Sequence, residues 1–161
     1  IVLFIRAYII QPFLVSGKSM EPNFHNGDYL LVDEVTYRLR EPKRGEVVVF
    51  DFQDDTFYIK RIIGLPGESV AVRSGKVRIY NKEEDAWSVL DEDYSVPLRT
   101  FGDFEVNLKN NEYFVMGDNR NFSFDSRRWG PLNKEKIVGL VRLRLWPFVG
   151  EIRIETPSYA K

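Results

Sequence analysis

Glu46-Val47-Val48-Val49-Phe50-Asp51-Phe52 decides the fold class. Three valines in a row and two phenylalanines make a β-branched and aromatic run, the composition of a buried strand. Lys43-Arg44-Gly45 punctuates it on one side, and Thr56 to Ile63 follows as a second β-rich run. Outward from this pair, Asn26-Gly27 precedes a short strand over Asp28–Asp33. Leu65-Pro66-Gly67 places Pro and Gly at the central positions of a type II turn. Val70–Arg73, Ser74-Gly75 and Lys76–Tyr80 spell a hairpin with a two-residue loop. Glu112–Met116 is another strand. Ile137–Trp146 is a long one that alternates from Leu140 onward, with Leu140, Val141, Leu143 and Leu145 against Arg142 and Arg144, until Pro147 stops it. Single helical turns are expected at Tyr37–Arg40 and Asn133–Lys136. There is no repeat, heptad pattern or long amphipathic helix. The class is all-β, an antiparallel β-barrel or sandwich.

The organisation expected is a β core over 13–67 and 112–150, a small inserted β subdomain over 68–111, and a C-terminal tail over 151–161. The insert is the acidic part of the chain: residues 81–105 hold eight acids against Lys82 and Arg99. A solvated surface accounts for that charge. The whole chain carries a net charge of −1, which gives no footprint for nucleic acid. Hydrophobic content of 43% supports a real core.

Residues 1–15, IVLFIRAYIIQPFLV, hold twelve apolar residues. As a helix they would rise about 22 Å, short of the roughly 30 Å of a hydrocarbon core. Starting at Ile1 rather than Met, residues 1–12 read as a membrane-anchor remnant or juxtamembrane segment, with Arg6 and Gln11 near the bilayer surface. The alternative is a buried strand opening the domain. The two are compatible, with helix before Gln11 and strand from Phe13.

Composition narrows the chemistry sharply. Zero Cys removes thiol catalysis, disulfides and Cys-ligated zinc, and a single His, His25, rules out a multi-His metal site within one chain. His25 lies in Asn23-Phe24-His25-Asn26-Gly27-Asp28, a turn, and is a poor candidate for a Ser-His-Asp triad. Three segments remain: Ser16-Gly17-Lys18-Ser19-Met20-Glu21-Pro22, Tyr58-Ile59-Lys60-Arg61-Ile62-Ile63, and Gly117-Asp118-Asn119-Arg120 running through Ser123, Asp125, Ser126, Arg127 and Trp129 to Gly130. A serine hydroxyl is a weak nucleophile without an adjacent base. A free lysine has a pKa of about 10.4 and is almost wholly protonated at neutral pH. Burial among apolar neighbours depresses it, and in a strand Lys60 shares one face with Tyr58 and Ile62. An isolated strand lysine is usually a surface residue; the three segments in this order are what favour a base. Ser123 could orient Lys60, and Arg61, Asp118, Asp125 and Arg127 could form ion pairs that pin the third segment to the Lys60 strand.

These segments resemble the bacterial type I signal peptidases, the leader peptidases that cleave secretory preproteins, from about Phe13 to Trp146. The resemblance implies Ser19 as nucleophile, Lys60 as general base and Ser123 as the hydroxyl that orients it. It implies a membrane-anchored endopeptidase acting on signal peptides at the outer face of the cell membrane, with a lipid bilayer as neighbour, no nucleic acid, and no metal or cofactor. By matching position, Phe13, Val15, Met20, Tyr58 and Ile59 would line pockets for small side chains. Many members carry a serine two residues before the nucleophile. Here Gly17 stands there, so the oxyanion site is expected from the Ser19 N–H with a second donor near Gly17, Ser16 being the alternative. Thr is usual after the Pro, and here it is Asn23. Two alternatives share part of the pattern: a self-cleaving Ser–Lys peptidase of the repressor-processing type, and a catalytically dead β-barrel that binds peptides.

Overall fold

A computed structural model describes residues 10–53, 56–82, 85–95 and 100–146. The Glu46–Phe52 run forms β3 (Val47–Gln53), and Val47 to Phe50 are all buried. Period-2 alternation sends its side chains to two different cores. Val47 and Val49 join Val15, Met20, Phe24, Leu30, Val32 and Val141. Val48 and Phe50 join Ile62, Tyr113, Val115 and Leu132. A strand covered on both faces has no polar positions to alternate, which is why it reads as a continuous apolar run.

Around β3 the chain builds a seven-stranded antiparallel sheet. Its other strands are β1 (Ile10–Leu14), β2 (Tyr29–Asp33), β4 (Thr56–Gly64), β9 (Glu112–Met116), β10 (Leu132–Asn133) and β11 (Ile137–Trp146), in the order β1-β2-β11-β3-β4-β9-β10. A second sheet holds β5 (Ser69–Arg73), β6 (Lys76–Asn81), β7 (Ala86–Val89) and β8 (Phe104–Asn107), in the order β7-β6-β5-β8. The all-β, antiparallel expectation therefore stands. Among the described residues β1 and β10 are outer strands that no ladder joins, so the large sheet is not closed. The small sheet has no separate core. Its Val70, Val72, Val77 and Ile79 pack with Ile63 of β4 and with Phe114 and Met116 of β9.

The β5–β6 hairpin turns through Ser74 and Gly75, both at positive φ (52° and 78°), the primed turn that matches strand twist. Leu65–Glu68 closes with Glu68 N–H donating to Leu65 O at 3.2 Å. The expected helical turns are α1 (Thr36–Leu39) and a 3₁₀ turn over Lys134–Lys136. Another short helix, α2 (Ser126–Trp129), lies inside the third motif. Strand β1 begins at Ile10, ahead of the expected start at Phe13. The anchor reading of residues 1–12 falls mostly outside the described residues, as does the tail over 151–161. Among the described residues no helix is long and apolar enough to cross a membrane.

Candidate active site

Ser19 stands on a loop that leaves β1 and returns as β2. The loop is closed by Val15 N–H donating to Asp28 O (2.8 Å), Gly27 N–H to Val15 O (2.9 Å) and Phe24 N–H to Met20 O (2.9 Å). Met20 and Phe24 are buried pegs that seat it on the core, leaving Ser19 half-exposed between them and the solvent. Lys60 comes from the middle of β4. β3 covers one edge of that strand along its length, but β9 pairs with the other edge only from Arg61 onward. The segment Thr56–Lys60 therefore keeps one unpaired edge, and the cleft lies along it.

There Lys60 Nζ donates to Ser19 Oγ at 2.8 Å and to the Ile59 carbonyl at 2.8 Å. Lys60 is only 4% exposed. Burial pushes its pKa down from 10.5 to about 8, and the negative charges of Asp125 and Asp118 pull part of the way back. Loss of hydration wins because neither carboxylate pairs with Nζ directly. Asp118 is held by Arg61, which donates from Nε to Oδ1 (2.8 Å) and from Nη2 to Oδ2 (2.6 Å). Asp125 accepts from Arg127 Nε (2.8 Å) and Nη2 (2.9 Å) and from Gly117 N–H (2.9 Å). Burial raises the Asp125 pKa, but the Arg127 guanidinium, the Ser123 hydroxyl and the Gly117 N–H more than offset it and hold the carboxyl below its ordinary value.

The third motif is thereby a rigid loop at the back of the site. Asp125 also caps α2, accepting from Arg127 N–H. Asn119 N–H donates to Ser19 O at 3.0 Å, tying the nucleophile's own backbone to this loop. Gly117 is wedged here. An added Cβ would sit 2.3 Å from Ser123 Oγ and 2.4 Å from Ser19 O, so a side chain at 117 would displace one of them. Ser123 Oγ is buried beside Asp125, whose carboxyl it helps to hold down.

A cleft of about 690 Å³ runs past Ser19 and Lys60. Phe13, Val15, Gly17, Tyr58 and Ile59 line it, and Leu14, Phe57, Phe122 and Phe124 add to its apolar wall. Met20 does not line it; its side chain is 1% exposed and belongs to the core beneath. The Gly17 N–H is engaged by Asn26 Oδ1 at 2.9 Å, whereas the Ser19 N–H makes no hydrogen bond among the described residues. His25 is exposed in the turn. Sequence reasoning passed over Phe122 and Phe124, whose alternation about Ser123 was the available signal. Arg120, part of the third motif but given no role from the sequence, is buried and bound to Glu92 Oε1 at 2.5 Å and to Gly117 O at 3.0 Å.

A buried amine with a lowered pKa touching a serine hydroxyl, beside an open strand edge and an apolar cleft, defines a serine hydrolase suited to an extended peptide. The profile of the family described as "Signal peptidase, peptidase S26" matches residues 1–146. The chain belongs to that signal peptidase family, whose members are serine endopeptidases. It is 39% identical over 151 residues to a probable signal peptidase I-2 of Synechocystis, covering 89% of this chain and 66% of that one, just under two thirds. It is 37% identical over 157 residues to a signal peptidase I of Bacillus licheniformis, covering 94% and 84%. The crystal structure of a signal peptidase I from Enterococcus faecalis superposes with a TM-score of 0.52 at 28% identity, over 63% of this chain and 97% of that one.

Proposed function

We propose that this chain is a membrane-anchored endopeptidase that removes signal peptides from secretory preproteins through a Ser19–Lys60 acyl-enzyme. The observation that carries the reading is the 2.8 Å contact between Ser19 Oγ and a Lys60 amine that is 4% exposed. An amine with a pKa near 8 is neutral in a useful fraction of molecules close to neutral pH.

Neutral Lys60 takes the Ser19 proton as Oγ bonds to the scissile carbonyl carbon. The Ser19 N–H faces the oxyanion; the Gly17 N–H joins it only if Asn26 lets go. A single donor of this kind is worth roughly 3–4 kcal/mol in well-studied cases. Protonated Lys60 then gives its proton to the leaving amine nitrogen as the C–N bond breaks. Lys60 next deprotonates a water, which attacks the ester, and its proton returns to Ser19 Oγ as the acyl group leaves. Once protonated, Nζ carries three N–H groups. Ile59 O and Ser19 Oγ satisfy two, and the oxygen of the Ser123 hydroxyl, which can donate its own proton to Asp125, is assigned the third. Arg61–Asp118 and Asp125–Arg127 keep the supporting loop in place.

The preprotein binds as an extended strand in the cleft. The open edge of Thr56–Lys60 supplies main-chain hydrogen bonds, and Phe13, Val15, Tyr58 and Ile59 supply shallow pockets for small side chains. The core over 13–67 and 112–150 carries this chemistry, with 68–111 inserted into it. Residues 1–12 place the site at the outer membrane surface, where substrate and enzyme meet. The test is a synthetic peptide containing Ala-x-Ala, with product masses read out. Wild type is expected to cut once, after the second Ala, while Ser19→Ala and Lys60→Ala leave the peptide whole. Binding without cleavage by the wild type would instead make the chain a peptide-binding β protein.

A further inference from the structure

We propose that Asn23 is a positioning residue: its side-chain amide, shared between the Tyr94 carbonyl and Asp118, locks the Ser19 loop to the strand that carries Lys60. The inference rests on the peptidase reading above. Asn23 Nδ2 donates to Tyr94 O at 2.8 Å and to Asp118 Oδ2 at 2.7 Å. Both partners are acceptors, so the amide orientation follows from chemistry. Asn23 lies four residues after Ser19, past the buried Met20. Asp118 is gripped by Arg61, the neighbour of Lys60 on β4. A path of contacts with normal lengths thus runs from the nucleophile loop through Asn23, Asp118 and Arg61 to the base.

Both anchors are themselves fixed. The Tyr94 ring is buried and lies against the Arg61 guanidinium, 4.2 Å from centroid to carbon. Its hydroxyl donates to Glu92 Oε1 at 2.8 Å, and Glu92 pairs with the buried Arg120. The Asn23 carbonyl accepts from Arg144 of β11. Tyr94 and Glu92 belong to the segment after β7, so the small-sheet region reaches the catalytic loop through this amide. An NH₂ group serves two acceptors at once; a Thr hydroxyl at the same position has one proton and serves one.

The full chain is tested as Asn23→Ala and Asn23→Thr. Three readouts are taken: kcat and KM on the Ala-x-Ala peptide, the melting temperature, and the ¹³C NMR titration of the Lys60 side chain, assigned by difference with Lys60→Arg. In Asn23→Ala, kcat is expected to fall roughly ten-fold or more with KM little changed, as befits lost alignment. The Lys60 midpoint is expected to rise, because Asp118 loses a compensating donor and the loosened loop admits water. Asn23→Thr is expected to fall between the two and decides the matter if the alanine variant does not fold. A Lys60 midpoint unmoved in the folded variant overturns the proposal. So does a fall in activity that follows the melting temperature alone. The Lys60 titration needs no turnover, so a wild type that fails to cleave counts against the peptidase reading while Asn23 is still judged by NMR.

Discussion

An amine serves as a base only while it is uncharged, and burial that keeps it so charges the fold a cost at lower pH. With the Lys60 pKa near 8, kcat/KM is expected to rise through a limb close to pH 8 and level off above it. A profile that climbs only near 10 would contradict the buried setting. The same shift fixes a stability trend. Between about 8 and 10.5 the unfolded chain holds a proton that the folded one has lost, so stability rises with pH across that window. Below 8 both states are protonated and the folded state bears the whole burden, about 3 kcal/mol for a shift of this size. Lys60→Met fills the site without a charge. It is expected to abolish cleavage yet melt several degrees higher than wild type at pH 7, the gain vanishing near pH 11. Equal melting at pH 7 would mean that water reaches Nζ. Alternation in the sequence already placed Tyr58 and Ile62 beside Lys60. It was silent on the cover from Ser19, 41 residues away.

At the scale of elements, legibility followed burial and turn chemistry. β3 and β9 read clearly because their apolar positions face filled cores; in β11 Leu140 and Val141 do so, but Leu143 and Leu145 are exposed and Arg144 turns inward to Asp28, against the alternation read from the sequence. The β5–β6 hairpin read clearly because Ser74-Gly75 is a turn signal. Ser74 nonetheless sits at φ 52°, where a Cβ is disfavoured. Ser74→Asn is therefore expected to stabilise the protein by a few tenths to about 1 kcal/mol without touching activity. A denaturant midpoint that stays put would show the serine already at ease there. β7 and β8 were lost in the acidic stretch because they are four residues each, half-exposed, and too short for alternation to stand out. α2 was missed for a related reason. Four residues carry no helical period, although an Asp125 N-cap and Gly130 just beyond the last turn mark its ends. The ion pairs could be named by residue type, but their arrangement depends on two loops meeting in space.

The two sheets make one folded unit because they share a core. Excision of the small sheet puts that to the test without a geometric excuse. Leu108 N–H donates to Glu68 O at 2.8 Å, so the chain enters and leaves the small sheet at the same point, and a short glycine linker can replace residues 69–107. The large sheet would keep every ladder between its own strands. It would nonetheless bare Ile63, Phe114 and Met116, all now buried against Val70, Val72 and Ile79. Each such side chain is worth about 1.5–3 kcal/mol when fully buried, so the three together approach the 5–15 kcal/mol of a whole domain. Arg120, whose guanidinium is sealed in by Glu92 and Thr100, would also lose its carboxylate. Removing one partner of a buried pair costs about 3–5 kcal/mol. The excised protein is expected to lose its cooperative melt, bind a hydrophobic dye and cleave nothing. A sharp transition near the parent temperature would mean that the seven-stranded sheet stands alone and that the small sheet is an appendage.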